Sequence, residues 1–365
     1  MSGVTAETAS TTAGEARTYQ EVSKGYTPFL NGDLLVAKIT PCFENGKIAQ
    51  ATLSHPFGFG STEFHVIRPK SDKIDARYLL HFLRLESVRR EGERRMTGSA
   101  GQKRVPEIFL NELVIPLPPL PEQRRIAEVL DRAEGLRAKR KAGIAQLEQL
   151  SYLVFIDLFG DPFTNPKNWP IIKIGDFSDV QGGLQVSHAR NNLPFEVPYL
   201  RVANVFRSYL DLDEVKSLKA TESEISRTLL KKNDLLVVEG HGNPNEIGRG
   251  ALWDGSIERC IHQNHIIRVR MNLGKVVPRF VCEYFNSPGG RRYLIGSGKS
   301  TSGLNTISVS EVRDVPIAIP PLPLQEDFSR RIAAIETLKA THRASLAQLD
   351  ALFASLQHRA FRGEL

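Results

Sequence analysis

The sequence is poor in the features that would place it among several large classes of protein. It has three cysteines, Cys42, Cys260 and Cys282, in 365 residues, and no Cys-x-x-Cys pair. Three scattered cysteines exclude a disulfide framework and fit a reducing compartment. No apolar run approaches the roughly 18 residues of a membrane span, and the N-terminus lacks the basic start and apolar centre of a signal peptide. We therefore expect a cytoplasmic protein without a membrane partner.

Sequence motifs of catalysis are also missing. There is no Gly-x-Ser-x-Gly nucleophile elbow and no Asn/Asp-Pro-Pro-aromatic signature of the kind that amino-methyltransferases carry. Gly296–Ser300 looks like the end of a P-loop, but the first glycine of that pattern is replaced by Tyr293. Cys260, His262 and His265 offer too few ligands at metal-site spacing, so core and surface roles are favoured over a metal site. We expect a non-catalytic chain with no cofactor and no metal.

The charge balance favours an anionic partner. Lysine and arginine number 48 against 41 acidic residues, which gives a formal net charge of +7 at pH 7 and a pI near 9.3. A basic surface attracts nucleic acid, but an ordinary basic protein has the same balance. Charge alone therefore leaves both interpretations open.

A proline-rich segment occurs twice. Leu113–Gln123 reads LVIPLPPLPEQ, and Val315–Gln325 reads VPIAIPPLPLQ. Pro118 aligns with Pro320, so the offset is 320 − 118 = 202. An earlier segment, NGDLLVA, returns as NDLLVV with its aspartates 234 − 33 = 201 residues apart. The chain is therefore predicted to be an internal duplication.

Each proline-rich segment leads into a long amphipathic pattern, Glu122–Leu158 and Gln325–His358. At 1.5 Å per residue the first helix would be roughly 55 Å long. The heptad positions of the first helix are Ile126, Leu130, Ala133, Arg137, Arg140, Ile144, Leu147, Ser151, Val154 and Leu158. Those of the second helix are Phe328, Ile332, Ile335, His342, Leu346, Leu349, Phe353 and Leu356. The shared register, with 342 − 140 = 202, predicts that the two helices pack together as an antiparallel coiled coil.

The predicted fold is α+β, with two globular α/β domains, two long helices and pseudo-twofold internal symmetry. The expected segments are a disordered lead-in at 1–18, a short first domain at 19–118, a helix at 119–160, a second domain at 161–320 and a helix at 321–365. We expect strands at Asp33–Ile39, Phe64–Arg68, Tyr199–Val205, Asp234–Val238 and Ile266–Arg270, helices at Ala76–Glu91 and Phe280–Asn286, and an extended segment at Ile108–Ile115. The first domain has no counterpart of about Trp169–Leu200, so either it is smaller or the chain begins late.

These motifs resemble those of one family, the specificity subunits of type I restriction–modification systems. The matching segments are Pro118–Ala127 with its helix and Phe159–Asp161 for the central conserved region, Pro320–Gln325 and Ala360–Leu365 for the C-terminal one, and Gly25–Phe29 with Ala37–Lys47 for a frequent first target-recognition domain. Two departures are Leu324 in place of a glutamate like Glu122, and a Trp-containing domain start that is present only at Trp169.

The resemblance implies a subunit that does no chemistry itself. Its two target-recognition domains would each read one half of a split double-stranded DNA sequence, and the paired helices would set the gap. Two methyltransferase subunits, which use S-adenosylmethionine, and ATP-driven restriction subunits would dock on it. The alternative is a scaffold or interaction protein whose first domain no longer reads DNA.

Loops rich in glycine, amide and basic residues are the candidate DNA contacts, because glycine permits close approach and amide or basic side chains read base edges or phosphates. In the first domain they are Asn45, Lys47, Gln102, Lys103 and Arg104. In the second they are Gly242, Asn243, Arg249, Lys299, Ser300, Ser302 and Asn305. Plain surface loops are the alternative for each set.

Overall fold

A computed structural model describes residues 3–12, 14, 17–99, 101–272, 274–297, 299–301 and 304–365, with the backbone alone at 297, 299–301, 304 and 305. The chain forms two compact units. The first unit comprises Met1–Ala145 and Ala340–Leu365, and the second comprises Gln146–Lys339. No helix in the described part of the chain combines the length and apolar character that crossing a membrane requires.

The first unit contains small antiparallel sheets and short helices ahead of a long helix. Its strands are β1 (Val4–Thr5), β2 (Ser10–Thr11), β3 (Thr27–Leu30), β4 (Leu34–Ala37), β5 (Ile48–Gln50), β6 (Phe57–Gly60) and β7 (Phe64–Ile67). Its helices are α1 (Tyr19–Val22), α2 (Ala76–Leu83), α3 (Glu86–Arg94), α4 (Glu107–Asn111) and the first part of α5 (Leu120–Phe159).

The central sheet of the first unit has the order β5-β4-β7 and is antiparallel. Every residue of β4 is buried, as a continuous apolar run predicts. The apolar face of α2 packs with this sheet around Leu34, Ile48, Leu80 and Phe109. The sheet and α2 thus share one core.

Three predictions for this unit are wrong. The lead-in at 1–18 was expected to be disordered, yet residues 3–12 include the hairpin β1–β2, with Val4 and Ala9 buried against the unit. The expected helix 76–91 is two helices, because Leu85 leaves the helical region (φ −55°, ψ 136°) and packs on the core. The expected extended segment 108–115 begins as α4, which places Phe109 in the core at 1% exposure.

The second unit lies between the two long helices in the sequence. Its strands are β8 (Ile171–Lys173), β9 (Ser178–Gly182), β10 (Phe195–Leu200), β11 (Lys216–Ala220), β12 (Leu235–Val238), β13 (Gly240–His241), β14 (Gly250–Leu252), β15 (Ile261–His262), β16 (Ile266–Met271), β17 (Lys299–Thr301), β18 (Leu304–Thr306) and β19 (Pro316–Ala318). Its helices are α6 (Glu222–Thr228), α7 (Pro278–Asn286), α8 (Pro288–Ser297), α9 (Val309–Arg313) and the first part of α10 (Leu322–Ala360).

The central sheet of the second unit has the order β14-β12-β16-β9. Smaller sheets have the orders β11-β10-β15, β13-β18-β17 and β19-β8. The strand predicted over 199–205 ends at Leu200, because Asn204 accepts a hydrogen bond from the backbone N–H of Arg201 and closes a 3-10 turn. The main hydrophobic core contains residues of this sheet, of α7, and of the parts of the long helices α5 and α10 that belong to the second unit.

The turn before the central strand is alike in both units. Gly32 and Asn233 adopt left-handed backbone conformations, with φ of 88° and 72°. Asp33 and Asp234, which follow them, each accept a hydrogen bond at 2.7 Å from the backbone N–H three residues earlier. The duplicated NGD and ND segments therefore encode one local turn.

A buried glutamine fixes the start of each long helix. Gln123 donates to the carbonyl of Pro118 at 2.8 Å and accepts from the backbone N–H of Asp75 at 2.8 Å. Gln325 does the same with Pro320, at 2.8 Å, and Val277, at 2.9 Å. The proline carbonyls and the chain before α2 or α7 are thus joined to the helix start in both units.

Within each unit, α5 and α10 run antiparallel. In the first unit, Arg137 Nε lies 2.6 Å from Asp350 Oδ1, and a Cβ on Gly143 would lie 3.1 Å from the His342 ring. In the second unit, the Phe155 and Phe159 rings pack on Phe328 at 5.5 and 5.1 Å between centroids. The two helices are therefore in contact in each unit, and of these residues Arg137, His342 and Phe328 are predicted heptad positions. In the second unit the buried α5 side chains are Phe155 and Phe159 rather than the predicted Val154 and Leu158.

Candidate nucleic-acid interface

In the first unit, the backbone brings the two candidate loops together. Ile39 and Thr97 both pair with Arg104. Thr40, at the start of the loop 40–47, donates its N–H to the carbonyl of Lys103 at 2.9 Å, and its hydroxyl accepts the Lys103 N–H at 3.0 Å. Loops that are more than 50 residues apart in the sequence thus form one surface.

The side chains of that surface differ in how accessible they are. Asn45, Gln102 and Lys103 are exposed, and Lys47 is half-buried. Arg104 Nη2 lies 2.7 Å from Glu63 Oε1. This hydrogen-bonded pair raises the pKa of Arg104 and lowers the pKa of Glu63. Part of the predicted positive charge at Arg104 is therefore neutralised within the unit.

The second unit repeats this arrangement. Gly240 and His241 pair with Thr306 and Asn305, and Lys299 pairs with Thr306 from the other side. The offsets to the first unit are 240 − 39 = 201, 306 − 104 = 202 and 299 − 97 = 202. The loop after β13 and the hairpin β17–β18 therefore occupy, within their unit, the places of the two loops of the first.

Three of the candidate residues, Lys299, Ser300 and Asn305, belong to that hairpin. Ser300 pairs with Asn305 across the hairpin, and Lys299 lies one residue before Ser300 in β17. Only the backbone is described for these three residues, and Ser302 lies outside the described residues. The backbone pairing thus places the hairpin, while the direction of its side chains stays a prediction.

The loop after β13 is exposed at Gly242 and Asn243. The Asn243 side chain accepts a hydrogen bond from the backbone N–H of Asn245 at 3.0 Å, and a 3-10 turn follows at Pro244–Glu246. A Cβ added to Gly242 would meet nothing within 4 Å. The backbone at Gly242 is therefore open to a partner.

The position of Arg249 does not support its prediction as a base-reading residue. It is 7% exposed, its Nη1 lies 2.9 Å from Glu246 Oε2, and its guanidinium lies 5.1 Å from the centroid of the Phe206 ring. The buried Arg249 side chain therefore stabilises the loop through Glu246 and Phe206 instead of facing a partner. Glu246 stands only three residues before Arg249 in the sequence, but Phe206 becomes a partner of Arg249 only through the fold.

Two further arginines at this loop escaped the sequence analysis. Arg207 Nη2 and Arg291 Nη1 each donate to the carbonyl of Asn245 at 2.5 Å. Burial, and then the nearby charge of Arg207, lower the pKa of Arg291. With Arg249, three guanidiniums surround the single carboxylate of Glu246, so the loop carries excess positive charge. These residues lie far apart in the sequence, where no motif marks them.

Two of the residues considered as metal ligands, Cys260 and His262, are buried. Both ring nitrogens of buried His262 lie within hydrogen-bonding distance of the backbone carbonyls of Thr228 and Gln181. Burial lowers the pKa of His262 to about 4 and raises that of Cys260 to about 12. These are core residues, as favoured from the sequence.

Another group, His81, Asp131 and Glu134, has ligand atoms within 4.8 Å of one another. Arg77 donates to Asp131, and Arg84 Nη1 donates to Glu134 at 2.7 and 2.9 Å. These guanidiniums already neutralise the carboxylates, so the group is an ion-pair network.

Comparison with known proteins places this geometry in context. Residues 6–149 match the family described as type I restriction modification DNA specificity domain. Over 113 residues, the chain is 52% identical to the EcoAI specificity subunit of a type I restriction enzyme from Escherichia coli, a match that covers 31% of this chain and 19% of that subunit. With the EcoKI specificity subunit of Escherichia coli strain K12 it shares 26% identity over 336 residues, which covers 88% of this chain and 72% of that subunit.

The fold comparison agrees with these matches. A solved structure of a type I restriction–modification system S subunit from M. genitalium aligns with a TM-score of 0.53 at 14% identity, and the alignment covers 92% of this chain and 84% of that one. At this identity the likeness concerns the fold, and the mixed helices and sheets confirm the predicted α+β class. The family resemblance inferred from the motifs is confirmed: residues 6–149 match the type I restriction modification DNA specificity domain, and the chain is similar to type I specificity subunits along most of its length.

Proposed function

We propose that this chain is the non-catalytic DNA-specificity subunit of a type I restriction–modification complex, and that each unit binds one half of a bipartite double-stranded DNA target. The observation that carries this proposal is the repeated loop surface, built by Ile39, Thr97 and Arg104 in one unit and by Gly240, Lys299 and Thr306 in the other. Two equivalent surfaces in one chain suit two half-sites, as two subunits do in dimeric DNA readers.

The long helices are proposed to set the gap between the half-sites. The helices have nearly equal lengths, 40 residues for Leu120–Phe159 and 39 for Leu322–Ala360. This match, the glutamine-anchored starts and the antiparallel contacts in each unit support an antiparallel coiled coil with pseudo-twofold symmetry. Two methyltransferase subunits and the restriction subunits would dock on this chain, as its resemblance to type I specificity subunits implies. The chemistry of methylation and cleavage would then belong to those partners.

Most of the residues that the sequence predicts to contact DNA remain proposed DNA contacts. Exposed amide side chains can read base edges, and lysines can neutralise phosphates. The set is Asn45, Lys47, Gln102 and Lys103 in the first unit, and Gly242, Asn243, Lys299, Ser300, Ser302 and Asn305 in the second. Arg104 and Arg249 are proposed to support the loops through their ion pairs with Glu63 and Glu246.

The test is the methylation motif made by the chain together with its methyltransferase partner. The double variant Gln102→Ala, Lys103→Ala should relax or abolish recognition of one half of the motif and leave the other half unchanged, because these residues lie on the surface of one unit. Sequencing of methylated adenines in host DNA measures this. Lys70→Ala, an exposed lysine on the loop before α2, is the matched control.

Binding of the purified complex to target DNA gives a second readout. Lys103→Ala should remove one phosphate contact. The slope of log affinity against log salt concentration should then fall by about one. Lys70→Ala should leave this slope unchanged. An unaltered motif with full affinity in the double variant would contradict the proposed surface.

A second candidate function is a scaffold that binds methyltransferase without reading DNA through its first unit. The observation in its favour is that Arg104, on the loop surface of the first unit, is bound by Glu63 at 2.7 Å, which neutralises one of the cations expected to contact DNA. Under this alternative, methyltransferase would co-purify with the chain, but no sequence-dependent modification would appear. A bipartite motif in sequenced DNA would exclude it.

A further inference from the structure

Each unit has a candidate DNA-contacting loop that packs on a short helix of the same unit. In the first unit the loop is 40–47 and the helix is α3, and in the second the loop is 242–249 and the helix is α8. The two helices begin 288 − 86 = 202 residues apart. The contacts between loop and helix can therefore be compared position by position.

The first contact that both units share is a hydrogen bond from an arginine of the helix. Arg89 Nη1 donates to the backbone carbonyl of Glu44 at 2.7 Å. Arg291 Nη1 donates to the backbone carbonyl of Asn245 at 2.5 Å. The arginines are equivalent, since 291 − 89 = 202, and the two carbonyls differ by one register position, since 245 − 44 = 201. Both guanidiniums therefore bind the backbone of their loop.

The second shared contact is a glycine near the end of the loop. Gly46 and Gly248, which are 248 − 46 = 202 residues apart, are both left-handed, with φ of 68° and 70°. A Cβ on Gly46 would lie 3.5 Å from Arg89 Cδ, and a Cβ on Gly248 would lie 2.6 Å from Leu294 Cδ1. The loop backbone therefore lies directly against the side chains of the helix in both units.

The third contact is apolar, and its side chain comes from opposite partners in the two units. Phe43 of the first loop is 1% exposed, and a Cβ on Gly92 of α3 would lie 2.5 Å from its Cζ. The counterpart of Gly92, at 294 − 92 = 202, is Leu294, which is fully buried. The counterpart of Phe43, at 245 − 43 = 202, is the exposed Asn245. The packing of loop on helix is therefore kept although different residues provide it.

Candidate base-reading side chains lie next to the carbonyls that the arginines bind. Exposed Asn45 directly follows Glu44. In the second unit, the side chain of exposed Asn243 accepts the backbone N–H of Asn245 at 3.0 Å. A side chain that recognises a ligand must be held within about 0.5 Å of its productive position by the residues around it. The position of each asparagine therefore depends on the backbone that an arginine holds.

The neighbouring arginines on the same helices differ in their surroundings. Arg89 and Arg291 are half-buried, whereas Arg90 and Arg292, the next residues, are exposed. Arg90 is bound by Glu86 of its own helix. Burial and the hydrogen bonds to loop carbonyls thus distinguish Arg89 and Arg291 from arginines of ordinary helix surface.

We propose that Arg89 and Arg291 are positioning residues, which fix the loop of their unit and thereby determine how strictly that unit discriminates between bases of its half-site. They act through the loop backbone and make no contact with DNA. This inference rests on the proposed function, because it names the source of specificity at the proposed loop surfaces.

The test measures binding of single-mismatch DNA by the full chain in complex with its methyltransferase partner. A wrong base pair weakens specific binding roughly 5- to 150-fold. Arg89→Met removes the donor and keeps the apolar stem, so the mismatch penalty at the first half-site should fall by at least about fivefold. The first half-site is the one whose recognition changes in Gln102→Ala, Lys103→Ala. The penalty at the other half-site should stay as in wild type, and fluorescence anisotropy with duplexes mismatched in one half-site measures both.

Arg291→Met should act on the second half-site alone. Its effect should be smaller, at least about twofold, because Arg207 donates to the same Asn245 carbonyl at 2.5 Å. Arg89→Lys restores a charged donor and should recover most of the discrimination that Arg89→Met loses. Arg90→Met and Arg292→Met remove the same charge from the adjacent positions and should leave both mismatch penalties unchanged.

Salt dependence separates positioning from a direct phosphate contact. The slope of log affinity against log salt concentration should be the same for Arg89→Met and wild type, because a guanidinium bound to a loop carbonyl releases no counterion. A slope reduced by about one would identify Arg89 as a phosphate ligand and would overturn the proposal.

Two further outcomes would overturn it. One is wild-type discrimination at both half-sites in Arg89→Met and Arg291→Met, shown by circular dichroism to be folded. The other is loss of folding in both variants, because the guanidiniums would then serve the stability of the units instead of loop position. In either case a wild-type complex that still recognises two half-sites would leave the proposed function standing, whereas a wild-type complex without a bipartite target would refute both.

Discussion

The two units share their turn, their helix start and their loop surface, yet they differ at one edge of the central sheet. In the second unit, β9 pairs along β16, and β8 pairs with β19. In the described part of the first unit, β7 is the edge strand of its sheet, and residues 114–116, the counterpart of β19, have no paired strand. A repeated segment therefore does not guarantee a repeated environment, because the covering strand comes from elsewhere in the chain.

Apolar side chains next to this edge are less buried in the first unit than their counterparts in the second. Ile317 is fully buried, while Ile115, its counterpart at 317 − 115 = 202, is only partly buried. The flanking Leu117 is 57% exposed, and its counterpart Ile319 is half-buried. An uncovered apolar edge of this kind is a place where proteins take up additional strands.

The largest expected difference is therefore between Ile317→Lys and Ile115→Lys. We expect Ile317→Lys to destabilise the second unit by on the order of 4 kcal/mol, because a charge enters a closed core. The same change at Ile115 should cost roughly 1–2 kcal/mol, since a lysine there can extend its amine to water. Urea unfolding of both variants measures this. Equal losses would show that the first-unit edge is covered in solution.

A smaller difference is expected for the aspartates of the shared turn. Asp33 binds Arg68 at 2.8 Å and Asp234 binds Arg270 at 2.6 Å, but the exposure of the arginine side chains is 60% and 28%. Asp234→Ala should cost about 3 kcal/mol, because it leaves a largely buried guanidinium unpaired. Asp33→Ala should cost less, because water can solvate Arg68. Thermal unfolding of both variants measures the two losses of stability. A larger loss for Asp33→Ala than for Asp234→Ala would contradict this ranking.

The smallest effect is the response of Asp131 to acid, which the corresponding position of the second unit lacks. Burial would raise the pKa of Asp131, but hydrogen bonds from His81 and Arg77 lower it to about 2. A carboxylate with a depressed pKa stabilises the fold above its ordinary pKa of 3.8 and loses that contribution as pH falls from about 4 to about 2. The counterpart at 131 + 202 = 333 is an alanine.

The test compares wild type with Asp131→Asn. Their difference in stability should be constant from pH 7 to about 5 and should shrink between about pH 4 and 2. Urea unfolding across this range measures it. A difference that does not change with pH would show that Asp131 has an ordinary pKa in the folded chain.

The sequence predicted the elements whose patterns are local. The strands at 34–37 and 64–67, the helix at 278–286 and both long helices follow from apolar runs and heptads. The wrong predictions concern 1–18, 76–91 and 108–115, where Val4, Leu85 and Phe109 are drawn into a core formed by distant residues. Pattern rules miss such cases because tertiary contacts override local preference.

For the candidate surface, composition identified the loops, but it did not show which charged side chains are exposed and which are bound within the unit. Glycine, amide and basic residues marked the predicted loops at 41–47, 97–104, 239–250 and 298–305. Arg104 and Arg249 carry the same charge as Lys103 in the sequence, yet Arg104 is bound by Glu63 from a distant segment and Arg249 by Glu246 of its own loop. Arg207 and Arg291 reach the same loop from two other segments.

By itself, the sequence determined the duplication, the register of the two long helices and the family resemblance, because repeats and heptads can be recognised from the order of the residues alone. Only the tertiary structure decided that Phe43 of the loop packs on Gly92 in the first unit, while Leu294 of the helix packs on Gly248 in the second. It also decided that β16 is covered while β7 is an edge strand. Burial depends on which distant segment arrives at a surface, and two copies of one motif can therefore have different neighbours.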